Sequence, residues 1–213
     1  MIGEKFIGKD SVALILSDNI FYGNNIQALL AETMNQKSGA TVFGYYVNDP
    51  KRFGVINFAR DGTVISIDEK PDYPKTNFAG TGLYFYDNRV IDIAKSLKPS
   101  NRGELEITDI NKAYLKWGEL SVKLLGQGFA WIDTGTHQSL LKASNYIKTI
   151  EEGQNIKVAC LEEIAFKKGY ISREQLYNLT KSLLKNGYGQ YLMRMLHIQD
   201  EEKRFGYYSD MFW

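Results

Sequence analysis

Short apolar runs alternate with amphipathic segments through the first two-thirds of the chain. Residues 11–16 read Ser-Val-Ala-Leu-Ile-Leu, a continuous apolar run that is typical of a strand buried on both faces. The next segment has helical apolar spacing to about residue 37, with Asn24 as its N-cap, and a second apolar strand covers residues 40–47. A strand, a helix and a strand in succession predict two parallel strands joined by a crossover helix.

A hairpin is predicted after the second strand. Residues 53–58 and 64–67 have the character of strands, and Asp61-Gly62 between them is a strong turn signal. A strand, two helices, two strands and a helix are then predicted at residues 82–86, 89–96, 106–117, 121–125, 130–133 and 136–151. The pattern therefore predicts an α/β core over residues 1–152. Its sheet is expected to be three-layered, mostly parallel and Rossmann-like, with a hairpin insertion.

The pattern changes to a small helical subdomain, predicted over residues 153–213. Its elements are a short apolar stretch and two helices, at residues 156–160, 172–184 and 188–195. Ser172 and Gln175 resemble a capping box at the start of the first of these helices. Residues 197–213 are charged and aromatic without a clear period, which predicts a frayed tail or a docking peptide.

Composition and charge argue against several classes of partner. The 213 residues include 26 basic and 25 acidic side chains, a net charge of +1, so no electrostatic case exists for nucleic acid or an anionic membrane. No apolar run approaches the length of a membrane span, and the first residues lack a signal-peptide stretch. The single cysteine, Cys160, has apolar neighbours and cannot form an internal disulfide. These features favour a buried structural thiol and a reducing, cytoplasmic compartment.

Two acidic residues follow predicted strands at positions where α/β sheets bind ligands. Asp18 comes after the first strand, and Asp133 ends the strand at residues 130–133. Two carboxylates on separate strand ends can share one Mg²⁺ that bridges phosphates, a pairing suited to phosphoryl or nucleotidyl transfer. Each residue also has a structural explanation. Asp18 can hydrogen-bond to the backbone of a turn, and Asp133 can interact favourably with the dipole of the helix that follows it. The residues themselves leave both alternatives open.

Three further segments carry groups that suit a sugar phosphate. Glu69 can accept two sugar hydroxyls and Lys70 can hold a phosphate if Pro71 turns the chain, although a solvated charge pair is the alternative. Gly54 would let a ligand or another backbone come close, and a plain bulge also explains it. Arg102 could bind a phosphate in a forked manner, whereas the acidic residues after it are explained by a helix start.

Taken in order, these segments resemble one family. The resemblance lies in residues 80–87 (Gly-Thr-Gly-Leu-Tyr-Phe-Tyr-Asp), 102–109 (Arg-Gly-Glu-Leu-Glu-Ile-Thr-Asp), 128–136 (Gly-Phe-Ala-Trp-Ile-Asp-Thr-Gly-Thr) and 185–192 (Lys-Asn-Gly-Tyr-Gly-Gln-Tyr-Leu). From Gly3 to about Leu196, the chain is similar to the glucose-1-phosphate thymidylyltransferases of the sugar nucleotidyltransferase superfamily. The match near the end favours the short, tetrameric bacterial type over uridylyltransferases.

The resemblance implies a reaction and a set of site residues. Glucose-1-phosphate would attack the α-phosphate of dTTP with Mg²⁺, giving dTDP-glucose and pyrophosphate for dTDP-rhamnose and polysaccharide biosynthesis. The enzyme would be cytoplasmic and a homotetramer, as in the family. Asp18 and Asp133 would be the metal-binding and catalytic acids, and Lys70 a further catalytic residue. The implied substrate-binding residues are Asn19, Gly54, Glu69, Lys70, Gly80, Tyr84, Arg102 and Trp131.

The sequence departs from the family pattern at several positions. Phe53 stands where the family usually has Tyr, Gly80 where a larger apolar residue is common, and Gln127 where Arg often lies near a second, regulatory nucleotide site. The family's first βα unit, whose Gly-rich loop, Arg and downstream Lys hold the triphosphate, has no counterpart in this sequence. We therefore expect Met1 to be an internal start, a truncated gene or the start of a fragment, and the chain by itself to be inactive.

Two alternatives to thymidylyl transfer stay open. Another sugar-1-phosphate nucleotidylyltransferase, uridylyl- or cytidylyl-, would differ mainly in the N-terminal unit, so assays with several nucleoside triphosphates would separate these enzymes. An inactive remnant could instead bind sugar phosphate or co-assemble with an intact copy. An in-frame upstream extension that encodes a Gly-rich loop would argue against the remnant.

Overall fold

The computed structural model describes residues 3–205, with side chains as far as residue 198. The chain divides into two compact units between Leu140 and Leu141, inside one long helix. The boundary expected from the sequence, between residues 152 and 153, lies near the end of that helix and stays a prediction. No helix in the part of the chain that the structure describes is long and apolar enough to cross a membrane.

The first unit contains the strands, and the second is helical. The strands are β1 (Val12–Ile15), β2 (Asn19–Gly23), β3 (Ala40–Tyr46), β4 (Gly54–Phe58), β5 (Val64–Glu69), β6 (Phe78–Tyr86), β7 (Leu120–Leu125) and β8 (Phe129–Asp133). The helices of the first unit are α1 (Glu4–Ile7), α2 (Ile26–Met34), α3 (Val90–Ser96) and α4 (Ile107–Lys116), with a 3-10 helix at Pro50–Arg52. Helix α5 (His137–Gln154) leads into α6 (Leu161–Lys167), α7 (Arg173–Lys181) and α8 (Gly187–Phe205).

Six strands form one mixed sheet in the order β5-β4-β6-β3-β7, with β1 also paired to β6. Strands β3 and β7 are parallel neighbours, whereas β6 is antiparallel to β1, β3 and β4. Four strands therefore point one way and β5 and β6 the other. The predicted α/β class and the β4–β5 hairpin are confirmed. The two strands that the sequence predicts as a parallel pair, β1 and β3, do run in the same direction. They are not neighbours, because β6 lies between them.

Helices cover both faces of this sheet. The main core packs the sheet against α3 and α4, and its buried residues are Ala40, Val42, Ile56, Ile67, Tyr84, Tyr86, Val90, Ile91, Ile93, Ile110 and Tyr114. A second cluster joins Phe43 and Leu83 to Leu29 and Leu30 of α2. Successive residues of a strand face opposite sides, so Val42 and Phe43 enter different clusters. This arrangement gives the three layers that the sequence predicts.

Two predictions about the beginning of the chain are wrong. The first apolar run was expected to be buried on both faces, but Leu14, Ile15 and Leu16 are 37%, 57% and 41% exposed. In the described residues β1 pairs with β6 alone, so it lies at an edge of the sheet. The N-cap of α2 is Asn25 rather than Asn24, and Asn25 is left-handed with no capping bond from its side chain. Strand β2 runs almost to this point, which leaves little chain to shape a cap.

The second unit has a small core of its own, formed by Cys160, Leu176, Tyr191, Leu192 and Leu196. Cys160 is buried in this core, as the sequence predicts, and burial raises the pKa of its thiol. The predicted capping box is also confirmed, because Ser172 and Gln175 exchange side-chain bonds with each other's amides at 3.2 and 2.7 Å.

Two outcomes in the second unit were not foreseen. Helix α6 was not predicted, and none of its residues is buried. The tail expected over residues 197–213 begins as the end of α8, which continues to Phe205. Residues 206–213, over which the rest of the tail was predicted, lie outside the described part of the chain.

Candidate active site

A cavity of about 350 Å³ opens over one face of the sheet in the first unit, beside the beginning of α4. Nine of the ten site residues predicted from the sequence line it, namely Asp18, Asn19, Gly54, Glu69, Lys70, Gly80, Tyr84, Trp131 and Asp133. Arg102 is the exception. The fold therefore gathers these nine residues from five separate segments into one place.

The two predicted metal carboxylates lie at adjacent ends of β2 and β8. Asn19 is paired with Asp133 in the antiparallel register, and the carbonyl of Asp18 accepts bonds from the amide and hydroxyl of Thr134 at 2.8 and 2.9 Å. One oxygen of each carboxylate is also fixed. Oδ1 of Asp18 accepts from Nδ2 of Asn19 at 2.8 Å, and Oδ1 of Asp133 accepts from the Gly135 amide at 3.0 Å.

The second oxygen of each carboxylate suits a hard divalent cation. Among the described residues, Oδ2 of Asp18 has no hydrogen-bond donor, and Oδ2 of Asp133 has the Arg52 guanidinium at 3.7 Å, beyond hydrogen-bond length. Mg²⁺ binds through one or two carboxylates and keeps its remaining positions for water and phosphate. The described residues contain no cluster of three or more His, Cys, Asp or Glu side chains suited to a metal. A metal here would therefore rest on this pair of carboxylates, water and a bound anion.

The Asn19 side chain lies in the cavity wall, where hydrogen bonds set its orientation. Nε1 of Trp131 donates to its Oδ1 at 2.5 Å. A Cβ atom added to Gly82 would lie 2.7 Å from the Asn19 side chain, so a glycine at this position leaves the space that Asn19 occupies. Trp131 in turn packs against Phe53 and Tyr45, with ring centroids 5.0 and 6.0 Å away.

The hairpin places Glu69 and Lys70 at the opposite wall. Gly54 faces Glu69 in the β4–β5 register, and the Thr108 hydroxyl donates to Oε2 of Glu69. A Cβ on Gly54 would lie 3.0 Å from Oγ1 of Thr108, so the glycine allows this close approach. Lys70 has a left-handed backbone, with φ of 42°, and its Nζ lies 3.8 Å from Oε1 of Glu69. This turn brings two consecutive side chains to one cavity, as the sequence argument required.

Arg102 lies just outside the cavity, and its guanidinium forms ion pairs with three carboxylates. It donates to Oε2 of Glu104 at 2.7 Å, and its guanidinium lies 3.7 Å from both Glu69 and Glu106. The prediction placed Arg102 among the substrate-binding residues. In this structure it neutralises the acidic loop before α4 and keeps contact with Glu69, and its role in substrate binding stays a prediction.

Tyr84 and Gly80 line the floor of the cavity from β6. Burial, and secondarily the Glu69 carboxylate, raise the pKa of the Tyr84 hydroxyl well above its usual range, so it stays a neutral donor. A Cβ on Gly80 would meet the Gly54 carbonyl at 3.5 Å and Val42 at 3.7 Å, which are ordinary contacts. The floor therefore has room for a Cβ atom at position 80.

Several lining residues received no role from the sequence. Arg52 belongs to the 3-10 helix before β4, and Glu106, Thr108 and Asn111 lie around the beginning of α4. The spacing of Thr108 and Asn111 on one helical face was an available signal, whereas nothing local marks Arg52. The carboxylates that line the cavity are Asp18, Glu69, Glu106 and Asp133, and the cations are Arg52 and Lys70. The lining thus has a formal excess of two negative charges.

A family model described as nucleotidyl transferase matches residues 1–150. The glucose-1-phosphate thymidylyltransferase of Neisseria meningitidis is 54% identical over 196 residues, which cover 92% of this chain and 68% of that relative. The chain belongs to the glucose-1-phosphate thymidylyltransferase family. The glucose-1-phosphate thymidylyltransferase of Mycobacterium tuberculosis is 48% identical, again over 92% of this chain and 68% of the relative. The family resemblance seen in the sequence is confirmed.

One solved structure agrees with this assignment, and a second shares the fold. A Bacillus anthracis structure in complex with sucrose, itself proposed to be a glucose-1-phosphate thymidylyltransferase, is 47% identical with a TM-score of 0.61, over 68% of this chain and 57% of that one. A UDP-glucose pyrophosphorylase complexed with UDP-glucose has a TM-score of 0.57 at 23% identity, over 69% of this chain and 59% of that one, and supports the fold alone. The chain spans little more than half the length of these two solved structures.

Proposed function

We propose that this cavity is the sugar-phosphate and metal side of a thymidylyltransferase site. The reaction would join glucose-1-phosphate to the thymidylyl group of dTTP, giving dTDP-glucose and pyrophosphate. The observation that carries the proposal is the convergence of two kinds of group on one cavity. Asp18 and Asp133 each present a carboxylate oxygen, and Glu69 and Lys70 face them from the hairpin.

The sugar would be bound by fixed polar groups. The Glu69 carboxylate is oriented by the Thr108 hydroxyl and can accept sugar hydroxyls at its other oxygen. Tyr84 offers a neutral hydroxyl from the floor, and the Lys70 ammonium can hold the phosphate as a point charge. Asn19 would contribute its amide, whose orientation the Trp131 indole fixes. Such groups, already ordered before binding, lower the entropic cost of positioning the reactants.

The metal of this site would be Mg²⁺, held by Asp18 and Asp133. When bound, it would neutralise phosphate charge and align the phosphates for in-line attack. The two aspartates, fixed through Asn19 and Gly135, would hold its position. We further propose a homo-oligomeric, cytoplasmic enzyme, by analogy with the family.

The charge of the cavity limits what the described residues can do unaided. Its lining has a formal excess of two negative charges, and one Mg²⁺ would offset that excess without leaving positive charge for a triphosphate. We propose that the triphosphate needs further cationic and backbone N–H donors, of the kind found at a loop–helix junction. On this basis the 213 residues alone should bind sugar phosphate but should not catalyse thymidylyl transfer from dTTP.

Calorimetry tests the sugar-phosphate assignment. Glucose-1-phosphate should bind the chain in the presence of Mg²⁺ more tightly than glucose or inorganic phosphate, because the Glu69 and Lys70 groups act on one molecule. Glu69→Gln should weaken the binding of glucose-1-phosphate without changing the affinity for inorganic phosphate. Equal affinities for glucose-1-phosphate and inorganic phosphate would show that the cavity does not recognise the sugar.

A further inference from the structure

Arg52 occupies an unusual position beside the proposed metal site. It is the last residue of the 3-10 helix Pro50–Arg52, which is capped by Asp49 and leads directly into β4. Its guanidinium lies 3.7 Å from Oδ2 of Asp133, the oxygen that the Gly135 amide does not occupy. The Arg52 guanidinium therefore already lies near the carboxylate oxygen that a metal would bind.

The contact between Arg52 and Asp133 is weak and can be broken at little cost. At 3.7 Å it is an ion pair without a hydrogen bond, and the Arg52 side chain is 52% exposed while that of Asp133 is 20% exposed. The guanidinium also lies 5.9 Å from the centroid of the Phe53 ring, a weak attraction for an exposed cation. Exposed ion pairs of this kind contribute little to stability, so leaving Asp133 costs the Arg52 side chain little.

We infer that Arg52 is the resident counter-ion of Asp133, which a divalent cation displaces when it binds. The inference rests on the proposed metal site. Before the metal arrives, Arg52 offsets the charge of Asp133. Once displaced, its guanidinium stays in the cavity, where its forked N–H donors suit the phosphate oxygens of a sugar phosphate or nucleotide.

This exchange links two binding events. Because Arg52 and the metal compete for Oδ2 of Asp133, Arg52 should weaken the binding of a metal that arrives alone. Because the freed guanidinium can meet a phosphate, Arg52 should strengthen the binding of an anion to the metal-loaded site. Linkage then requires the anion to raise metal affinity in return. Arg52 would thus favour joint loading of metal and phosphate over loading of metal alone.

Manganese binding, followed by the electron paramagnetic resonance of free Mn²⁺, tests the first half of the inference. Arg52→Gln in the 213-residue chain should tighten Mn²⁺ binding about two- to fivefold, the factor expected from removing an exposed competing charge. Lys51→Gln is the matched control, since it removes the same charge from the same short helix at a residue that does not line the cavity. The control should leave Mn²⁺ affinity unchanged.

Glucose-1-phosphate binding in saturating Mn²⁺ tests the second half, and here Arg52→Gln should weaken affinity. The exchange therefore predicts that Arg52→Gln tightens Mn²⁺ binding and weakens glucose-1-phosphate binding. If Arg52→Gln leaves Mn²⁺ affinity unchanged or lowers it, while Asp133→Asn abolishes Mn²⁺ binding, the exchange is refuted and the metal site stands. If the unaltered chain binds no Mn²⁺, or Asp133→Asn does not affect binding, the metal site and the inference both fail.

Discussion

The indole nitrogen of Trp131 donates a 2.5 Å hydrogen bond to Oδ1 of Asn19, joining residues 112 positions apart in the chain. The same Asn19 side chain donates from Nδ2 to Asp18. A relay therefore runs from an aromatic wall, through one amide, to a carboxylate of the proposed metal pair. The orientation of Asp18 depends on a residue of β8, although Asp18 itself precedes β2.

Trp131→Phe should break this relay. Phe keeps most of the packing against Phe53 but leaves Oδ1 of Asn19 without its donor, which we expect to cost about 1–3 kcal/mol of unfolding free energy. Urea unfolding measures the loss. Trp117→Phe is the control, because Trp117 donates no hydrogen bond within the described residues. A double-mutant cycle with Asn19→Ala should show coupling between Trp131 and Asn19, and independent, additive effects would refute the relay.

A pair of glycines on β6 allows a test of the space around Asn19. Gly82→Ala would bring a Cβ within 2.7 Å of the Asn19 side chain, whereas Gly80→Ala meets nothing closer than 3.5 Å. Because the contacted atoms are the end of a movable side chain, Gly82→Ala should displace Asn19 rather than unfold the chain. We expect the Trp131 indole N–H signal to shift in NMR spectra of Gly82→Ala and to stay in place in Gly80→Ala. Identical spectra for the two variants would contradict the account.

Local sequence patterns predicted the elements whose partners are close in the chain. Asp61-Gly62 identified the β4–β5 hairpin, and the spacing around α4 identified that helix. The pairing of β2 with β8 was missed, because Asn19–Gly23 is a short strand whose partner lies over 100 residues away. Periodicity reports which face of a strand is buried, and it does not report which distant strand covers it.

The candidate site was predicted better than the sheet around it. Its residues were located by resemblance and by chemistry at strand ends, and the fold gathers nine of the ten around one cavity. Arg52 could not have been chosen in this way, since a single arginine two positions before a glycine has many ordinary explanations. Its significance depends on Asp133, which only the folded chain brings within 3.7 Å.

Lys70→Ala should weaken the binding of glucose-1-phosphate more than the binding of dTTP. Lys70 lies beside Glu69 on the hairpin wall, the wall to which we assign the sugar phosphate. Calorimetry with each ligand, on a chain joined to a triphosphate-binding loop–helix unit, measures the two losses. Lys75→Ala, in the loop after β5, is the control because Lys75 does not line the cavity. An equal loss for both ligands in Lys70→Ala would place Lys70 at a shared phosphate position instead.

Acid should destabilise the first unit through Asp87. Burial alone would raise the pKa of Asp87, but hydrogen bonds from Arg89, the Gly39 amide and Tyr114 outweigh it and lower the pKa to about 2. A carboxyl with an unfolded pKa of about 3.9 stabilises the fold fully above that pH, and the contribution disappears as pH falls towards 2.

Unfolding measured across this acidic range provides the check. Asp87→Asn should be less stable than the unaltered chain at neutral pH, and the difference should shrink between about pH 4 and pH 2. Asp72→Asn, at an exposed position, should keep the pH dependence of the unaltered chain. A difference for Asp87→Asn that does not change with pH would show that its bonds do not depend on its charge.

Pyrophosphate release from dTTP and glucose-1-phosphate is the measurement that tests the central claim most directly. We predict no release from the 213 residues alone, and Mg²⁺-dependent release from a chimera in which the Gly-rich loop–helix unit expected for the family is joined ahead of Met1. Asp133→Asn in the chimera should abolish that release while the fold is retained, because a metal clamp supplies several kcal/mol of transition-state stabilisation. Robust release from the 213 residues alone, or near-normal release from the Asp133→Asn chimera, would contradict the account.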